Sequence, residues 1–371
     1  MRMDKETRGK PLPQPQGRKS WLDLISIKHN EKMGETKPMK KILNDPANYV
    51  DEMLEGLVAA HPNDFRKAGD GKVIARADGP VSGKVGIVTG GGSGHLPVFT
   101  GYVGKGLLDA CAIGDVFASP TAEQMAEAMR QANGGAGVLR LYGNYGGDVM
   151  NFDMAGDIME MEDVESTTVA VADDVVSAPP EEKEKRRGTG GLVYAFKTTG
   201  AKADGGADLK EVTRVAQKTA CACRSIGMAL TPCTVPQAGK PTFEIGDGEM
   251  EMGMGIHGEP GVWRGALKAA DEIAEEMLAF LLKDMPLASG DRVSVMVNSL
   301  GATPLEELYI AYRYIHRKLY GLGVPIVLPL VGRYATSMEM TGMTLTLCHL
   351  DDELEALLKA PCDSPFWKVT Q

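Results

Sequence analysis

One histidine stands between small residues, at the end of a stretch rich in methionine, glycine and glutamate. His257 has Gly255 before it and Gly258 after it, so its imidazole is sterically open and the backbone can approach a ligand closely. An open imidazole is a candidate catalyst, but it can equally be an ordinary loop residue, which is the commoner role. Three acidic residues surround it, and they either orient the ring or only carry surface charge: Glu249, Glu251 and Glu259.

A second candidate is a glycine-rich loop that ends in a histidine. The β-branched run at residues 84–89 predicts a strand, which leads into Gly90-Gly-Gly-Ser-Gly-His95. This is not a dinucleotide-binding fingerprint, because the sixth position of a G-x-G-x-x-G beginning at Gly90 is His95. No Gly-Lys-Ser/Thr follows either, which excludes a Walker loop. The backbone N–H groups either contact a small polar ligand or only close a tight turn, and the terminal His95 favours a site.

The third candidate is a carboxylate in a turn. Asp148 follows a predicted strand at residues 137–142, with Gly143 and other glycines close by. Because ligand sites of α/β proteins lie at the carboxyl ends of strands, Asp148 is either a site residue or the N-cap of a helix that begins near Val149. Other aspartates that end predicted strands have no histidine at ligand spacing, so we expect caps and no metal site: Asp115, Asp173 and Asp174.

The elements that must position these residues alternate between strand and helix. Hydrophobic periodicity predicts helices at 48–57, 122–132, 149–161, 209–226, 265–282, 304–320 and 352–358, and strands at 84–89, 137–142, 169–172, 293–297, 324–330 and 345–348. We therefore expect an α/β fold class with two α/β domains and mostly parallel sheets, and a substrate site at the carboxyl ends of strands. Residues 228–260 lack helical periodicity and predict an irregular, hairpin-like segment.

Composition divides the chain into three parts. Residues 1–38 interleave Pro with Gln, Gly, Arg and Lys, which is typical of a disordered extension. Alternatively, translation begins at Met33 or Met39. Residues 39–226 are predicted to form an N-terminal α/β domain, and residues 227–371 a C-terminal α/β domain that carries His257.

Bulk composition excludes several classes of function. The formal net charge of −10 argues against nucleic acid as the main partner, because phosphate contacts need a basic surface. No apolar run approaches the roughly 20 residues that a membrane helix requires. The six cysteines lie mostly in apolar runs without a secretory leader, which predicts free thiols in a reducing cytosol. We therefore expect a cytoplasmic protein with neither nucleic acid nor membrane as a partner.

The loops, taken together and in order, resemble those of the dihydroxyacetone kinase K subunit family. The resemblance runs from about Met39 to about Pro361 and is carried by an ordered set of motifs rather than by any single one. These motifs are Gly90-Gly-Gly-Ser-Gly-His95, Gly101-Tyr-Val-Gly-Lys-Gly106, Asn144-Tyr-Gly-Gly-Asp-Val-Met-Asn-Phe152, Arg186-Arg-Gly188, Pro232-Cys-Thr-Val-Pro236, Gly255-Ile-His-Gly-Glu-Pro260, and Gly301-Ala-Thr-Pro304 with Glu307-Leu-Tyr309.

The resemblance implies a mechanism and a set of site residues. In the family, the histidine at the position of His257 adds through a ring nitrogen to the carbonyl of dihydroxyacetone and forms a covalent hemiaminal. Glycerol has no carbonyl and cannot be held in this way. The residues at the positions of Asp148 and His95 imply a general base and a group that orients the reacting hydroxyl. The positions implied to bind substrate are Gly92, Ser93, Gly94 and Gly143.

Two positions depart from the pattern of the family. Many members carry a substrate-contacting lysine where this chain has Gly143, and close relatives often carry glutamate where it has Leu96. The missing lysine opens space and removes a hydrogen-bond donor. We therefore expect a longer ketose, such as an erythrulose, to be a substrate besides dihydroxyacetone.

The resemblance also implies partners. The sequence has no nucleotide loop and no aspartate cluster of the kind that the family's L domain uses for Mg-nucleotide. We therefore expect this chain to bind no cofactor itself and to work, as a homodimer, with a separate L-type kinase subunit. That subunit would carry ATP, or ADP that a phosphotransferase-system protein rephosphorylates, together with Mg²⁺.

Two other functions stay open at the level of sequence. Paralogues of the K subunit bind the ketone and act as coactivators of a transcription regulator. Asp148 favours the enzyme, whereas Gly143 and Leu96 keep the sensing alternative open. A carbonyl-sugar isomerase or aldolase is less favoured, because Lys105 is the only lysine in these loops.

Overall fold

The computed structural model describes residues 40–370, which alternate between strands and helices. The strands are β1 (Phe65–Ala68), β2 (Val73–Arg76), β3 (Gly86–Ser93), β4 (Ala110–Val116), β5 (Val138–Gly143), β6 (Ser166–Val171), β7 (Cys223–Thr231), β8 (Thr234–Val235), β9 (Lys240–Pro241), β10 (Glu249–Met252), β11 (Trp263–Ala266), β12 (Arg292–Ser299), β13 (Leu330–Gly332), β14 (Thr341–Leu350), β15 (Cys362–Ser364) and β16 (Trp367–Val369). The helices are α1 (Tyr49–Ala60), α2 (Ala122–Ala132), α3 (Gly146–Met161), α4 (Gly191–Asp204), α5 (Leu209–Ala222), α6 (Ala270–Asp284), α7 (Leu305–Gly321) and α8 (Asp352–Lys359). The predicted extension at residues 1–38, with the alternative starts, lies outside the described residues.

The first sheet has the strand order β1-β2-β4-β3-β5-β6. Strands β4, β3, β5 and β6 are parallel neighbours, and β1 and β2 form an antiparallel edge. Helix α2 connects β4 to β5 and α3 connects β5 to β6, as parallel pairing requires. The α/β fold class is thereby confirmed, and the carboxyl ends of β3 and β5 lie side by side.

The second sheet has the strand order β11-β10-β7-β14-β12-β13. Only the β12–β13 pair is parallel, and the other neighbours are antiparallel. The expectation of mostly parallel sheets therefore holds for the first sheet and is corrected for the second. The physical reason is the connections: β7, β10 and β11 follow one another without a helix long enough to carry the chain back to the other end of the sheet.

Other boundaries also differ from the prediction. The helix predicted at 209–226 ends at Ala222, because from Cys223 onward the chain pairs with β14. Helix α4 was not predicted, since it is buried on nearly all sides and so lacks an amphipathic pattern. The strand predicted at 324–330 is replaced by the short β13, which begins at Leu330.

Both sheets contribute to one hydrophobic core around α4. This core includes Leu141 of β5, Val193 of α4, Met296 of β12 and Cys348 of β14. Helix α4 contacts β5 and β6 of the first sheet and β7 and β14 of the second. Residue 226, after which the sequence analysis divides the chain into two domains, lies inside β7. The two-domain division stays a prediction.

Candidate active site

Two of the predicted site residues lie at the ends of adjacent parallel strands. Strand β3 ends at Ser93, after which Gly94 turns the chain with φ of +101° and His95 follows. Strand β5 ends at Gly143, and α3 begins three residues later with Asp148 in its first turn. Since β3 and β5 are parallel neighbours, His95 and Asp148 lie at the same edge of the sheet, as predicted.

His257 reaches this edge from the second sheet, in the loop after β10. Its ring centroid lies 4.8 Å from that of His95, with the two planes at 77°. Two aromatic rings also meet it edge-on: Tyr145 with centroids 4.8 Å apart and Phe117 with centroids 5.3 Å apart. Asp148 lies close enough to His257 for the two side chains to interact electrostatically. The structure thus brings the three residues predicted to be catalytic into one site.

His95 is a neutral, fully buried hydrogen-bond acceptor. Its Nδ1 lies 2.7 Å from the carbonyl oxygen of Thr336, which can only accept, so Nδ1 carries the proton. Burial, and then the charge of His257, lower the pKa of His95 to about 3. The ring stacks on Phe117 with centroids 4.9 Å apart. Its Nε2 is buried and has no hydrogen-bond partner within residues 40–370, so it can accept a hydrogen bond from a ligand.

Asp148 does not cap its helix. The N-cap of α3 is Tyr145, and Asp148 is 5% exposed in the first turn, so the capping alternative is wrong. Burial raises the pKa of Asp148 to about 6, although a hydrogen bond with Ser119 and the charge of His257 oppose the rise. Its Oδ1 has no partner in the described part of the chain. Asp148 therefore offers a mostly ionised carboxylate near neutral pH, with one oxygen available to a ligand.

Of the three glutamates around His257, Glu259 is the one that bonds to it. Its Oε1 lies 2.8 Å from Nδ1 of the ring, and its Oε2 accepts from the backbone N–H of His257 at 2.9 Å. Burial raises the pKa of Glu259, but the hydrogen bond and charge of His257 and the charge of Arg187 outweigh it and lower the pKa to about 2. Glu249 and Glu251 instead accept from backbone N–H groups elsewhere, and Glu251 also pairs with an arginine.

The loop after β3 is glycine-rich because it is tightly packed. A Cβ added at Gly92 would lie 2.7 Å from Cα of Phe117, and one at Gly94 would lie 2.8 Å from the ring of Phe117. A second loop, which follows β13, holds this turn through main-chain bonds. Met338 donates its backbone N–H to the carbonyl of Gly94 at 2.8 Å, and Thr336 donates its own to the carbonyl of His95 at 3.3 Å. The predicted binding roles of Gly92, Ser93 and Gly94 stay predictions.

Gly143 lies next to the ring of Tyr145, which packs against His257. A Cβ at this position would lie 3.3 Å from the ring of Tyr145 and 3.4 Å from a methyl carbon of Leu192. The Cβ itself would therefore be tight but tolerable, whereas a longer side chain would occupy space next to Tyr145. Leu96, the other position that departs from the family pattern, is partly buried, and its carbonyl accepts from the hydroxyl of Thr336 at 3.0 Å.

Sequence reasoning missed several residues that shape the site. Phe117 and Tyr145 pack against His257, and Arg187 lies behind Glu259, with Nη1 3.9 Å from Oε2. The available signals were weak. Tyr145 and Arg187 lie in motifs that carried the family resemblance, but aromatic and basic residues in loops are too common to indicate a role by themselves.

Comparison with known proteins gives the family. The sequence profile of the Dak1 domain matches residues 55–366. The chain belongs to the Dak1 family. It is similar to the dihydroxyacetone-binding subunit DhaK of the PTS-dependent dihydroxyacetone kinase 1 of Listeria innocua, with 44% identity over 330 residues that cover 89% of this chain and 100% of that protein. It is also similar to an L-erythrulose kinase of Pectobacterium atrosepticum, with 42% identity over 334 residues that cover 89% of this chain and 56% of that protein.

Solved structures resemble most of the Dak1 chain. The dihydroxyacetone kinase of C. freundii in its native form aligns with a TM-score of 0.82 at 30% identity, over 90% of this chain and 61% of that one. The dihydroxyacetone kinase operon co-activator Dha-DhaQ aligns with a TM-score of 0.79 at 30% identity, over 85% of this chain and 97% of that one. The resemblance to the dihydroxyacetone kinase K subunit is thereby confirmed.

Other classes of site find no support between residues 40 and 370. No group of three or more His, Cys, Asp or Glu side chains there could hold a metal ion. The six cysteines are free thiols, as predicted. No helix in this part of the chain is long and apolar enough to cross a membrane.

Proposed function

We propose that this Dak1 chain is the ketose-binding subunit of a dihydroxyacetone-type kinase and holds a short-chain ketose as a hemiaminal on His257. One observation carries the proposal. Nε2 of His95 and the hydroxyl of Tyr145, whose rings contact His257, are buried without a hydrogen-bond partner in the described residues, and so is Oδ1 of Asp148 at the same edge of the sheet. Buried polar groups are nearly always paired, so these atoms around a partly exposed imidazole fit a ligand that brings hydroxyl groups.

The chemistry follows from the state of each group. An unprotonated ring nitrogen of His257 supplies the lone pair that adds to a ketone carbonyl. Nε2 of His95 can only accept, and it orients a hydroxyl of the bound ketose. With a pKa of about 6, Asp148 is mostly ionised at neutral pH and accepts the proton of the terminal hydroxyl as that oxygen attacks phosphorus.

The partner is a nucleotide-binding L-type subunit. The relatives from Listeria innocua are named as dihydroxyacetone-binding subunits of phosphotransferase-system-dependent kinases, and the chain covers their full length. This supports a division of labour in which a second subunit supplies the phosphoryl group with Mg²⁺, from ATP or through a phosphotransferase-system donor. A homodimer in the cytoplasm stays the expectation from sequence.

The ketose is dihydroxyacetone or a four-carbon ketose such as an erythrulose. No side chain extends from Gly143 past Tyr145 and Leu192, and a Cβ there would itself be crowded, at 3.3 and 3.4 Å from these neighbours. Relatives named as erythrulose kinases are 42% identical to this chain, nearly as similar as the dihydroxyacetone-binding subunits. These relatives support a site that accepts a fourth carbon, and the missing lysine side chain at residue 143 agrees with it.

Intact-mass measurement tests the proposal directly. After incubation with dihydroxyacetone or erythrulose and desalting without a reducing agent, the wild-type chain should gain the mass of one ketose. Incubation with glycerol should add no mass. His257→Ala abolishes the gain, whereas His349→Ala, which removes a half-exposed histidine on β14, leaves it unchanged. A ketose adduct that persists in His257→Ala would contradict the proposal.

A ketose-sensing coactivator is the second candidate, because the co-activator Dha-DhaQ aligns over nearly its whole length. Both candidates bind the ketose, so adduct formation does not separate them. Phosphorylation of the ketose in the presence of an L-type subunit and its phosphoryl donor does. Turnover supports the kinase subunit, and adduct formation without turnover with the cognate L-type subunit supports the sensor.

A further inference from the structure

Both carboxylate oxygens of Glu259 contact His257. One carboxylate oxygen lies 2.8 Å from Nδ1 of the ring, and the other accepts the backbone N–H of the same residue at 2.9 Å. We propose that Glu259 is a positioning residue, which fixes His257 in the Nδ1–H tautomer and so leaves Nε2 as its nucleophilic nitrogen.

The tautomer follows from the partner. An ionised carboxylate can only accept hydrogen bonds, so Nδ1 of His257 must carry the proton that lies between the two atoms. In a neutral ring the other nitrogen then holds a free lone pair. A histidine without such a partner divides between both tautomers, and the form protonated on Nε2 cannot add to a carbonyl through that atom. Glu259 therefore decides which nitrogen can react.

The carboxylate of Glu259 is in turn positioned by Arg187. Arg187 lies with Nη1 3.9 Å from Oε2 of Glu259, and it is bound to the carboxylate of Asp174 at 2.8 and 3.0 Å. Arg187 also donates to the carbonyl of Gly253 at 3.3 Å, at the start of the same loop. These contacts link the loop after β10 to the end of β6, so the carboxylate has little freedom to leave His257.

Gly255 shows how closely the parts are packed. A Cβ at this position would lie 2.2 Å from Oε2 of Glu259 and 2.6 Å from Nη1 of Arg187. A side chain at residue 255 would therefore displace the carboxylate from the backbone N–H that it accepts. Gly255 therefore leaves room for the carboxylate of Glu259 and not only for the imidazole of His257.

The same carboxylate serves the addition step, an argument that rests on the proposed function. As the bond between Nε2 and the carbonyl carbon forms, the π electron pair of the C=O bond moves to oxygen, which takes up a proton. The imidazole ring becomes positively charged until Nδ1 loses its proton. An anion bonded to Nδ1–H stabilises that charge, in the way that the aspartate of a serine protease triad supports its histidine. Release of the Nδ1 proton to water balances the proton that the carbonyl oxygen takes up from water and leaves a neutral hemiaminal, while Glu259 stays ionised.

Nitrogen NMR of the free protein tests the tautomer without any ligand. In ¹⁵N-histidine-labelled wild type, we expect His257 to show a protonated Nδ1 and an unprotonated Nε2, with the signals assigned by their loss in His257→Ala. In Glu259→Ala the two nitrogens should move toward averaged shifts. In Glu259→Gln the amide oxygen can still accept from Nδ1–H but carries no charge, so this variant separates the effect of the anion on the addition from the choice of tautomer. Ketose adduct formation should fall roughly 10- to 100-fold in both variants, the loss typical when the partner of a ligating histidine is removed.

Glu251→Gln is the matched control. Glu251 is a buried carboxylate of the same segment, but it accepts from the backbone N–H of Gly261 and pairs with Arg264 instead of His257. This variant should keep the wild-type tautomer, and thermal melts of all variants separate unfolding from the loss of orientation. Wild-type nitrogen shifts in Glu259→Ala would overturn the proposal. If wild type formed no adduct on His257, the proposed function would fail, while the NMR result would still decide the role of Glu259.

Discussion

The two sides of the site are built by different kinds of contact. On the side of the first sheet, His95 and Asp148 are buried at strand ends, and the carbonyl of Thr336 holds His95 in its neutral form. On the other side, the loop after β10 holds His257 through a carboxylate, and the histidine side chain stays 23% exposed. The partner of Nδ1 is a neutral carbonyl in one case and an anion in the other.

Because the Nδ1 partners differ, we expect His95 and His257 to have different chemical roles. A carbonyl fixes the tautomer of His95 but does nothing to stabilise a positive ring, and burial lowers its pKa to about 3. A carboxylate supports a ring that becomes cationic, as the ring of His257 would in the proposed addition to a ketone. Under the proposed function, the first side acts on the hydroxyl that is phosphorylated, and the second side retains the ketose. Substitutions that separate retention from turnover test this division.

The largest separation is expected for Asp148→Asn. The amide cannot accept the hydroxyl proton, so phosphorylation should fall about 10³- to 10⁴-fold, while the adduct on His257 still forms. In wild type, turnover with the partner subunit should rise with pH through about 6 as Asp148 ionises, and this step should be absent from the variant. Rates from pH 5 to 8 and intact mass supply the two readouts. Loss of the adduct together with turnover would contradict the division.

Asp148 should also make the stability of the fold depend on pH. Its pKa is raised from 3.8 to about 6, so the folded state favours the protonated form. The protonated Asp148 contributes its full stabilisation below about pH 4. As pH rises through 6 this stabilisation is lost, which lowers the free energy of unfolding by about 3 kcal/mol. Asp148→Asn should therefore gain stability relative to wild type between pH 4 and 7, which denaturant titration at both pH values measures. An equal difference at the two pH values would refute the assignment.

A smaller effect is expected for His95→Asn. The hydroxyl of the bound ketose loses the acceptor that orients it, so turnover should fall about 10²-fold. The adduct should survive, because it depends on His257 and not on His95. His257→Ala is the reciprocal control, which loses both adduct and turnover. Single-turnover assays beside intact mass make the comparison, and a lost adduct in His95→Asn would show that the two sides cannot be separated.

The smallest effect is expected for Gly143→Lys. The new side chain must lie beside Tyr145 and takes the space assigned to the fourth carbon. The ratio of kcat/KM for erythrulose over dihydroxyacetone should fall about tenfold, in the range that one carbon is worth in a pocket. Gly56→Lys on α1 adds the same charge at a position with no atom within 4 Å of its Cβ, and it should leave the ratio unchanged. An unchanged ratio in Gly143→Lys would remove the argument for a larger pocket at this position.

The sequence predicted the first side of the site better than the second. His95 and Asp148 follow strands that have clear hydrophobic patterns, and strand ends of a parallel sheet meet at one edge. The link between Glu259 and His257 could not be separated from the surface charge of Glu249 and Glu251, because it depends on a loop conformation. That loop includes Gly258 at φ of +83°, and no periodicity reports such a turn.

The fold shows the same limit. Helix α2 was predicted with correct ends, and its capping box of Thr121 and Gln124 is a local signal. Helix α4 was missed because a helix that is buried all round has no polar face to mark its period. The second sheet was expected to be mostly parallel because strands and helices alternate along the chain, but β7 and β14 pair antiparallel. Local patterns predict elements, and only tertiary contacts decide which strands pair.

The main-chain bonds from residues 336 and 338 to the turn at Gly94 and His95 have a consequence for how the protein tolerates change. Backbone N–H and C=O groups form them, so these bonds do not require a particular side chain, although the hydroxyl of Thr336 also bonds to the carbonyl of Leu96 and Met338 has a φ of +52°. Substitutions at position 336 that keep the backbone conformation should therefore keep the carbonyl bond to Nδ1 of His95 and the neutral form of its ring. Side chains of this loop can change while the main-chain contacts that hold the turn at Gly94 and His95 stay the same.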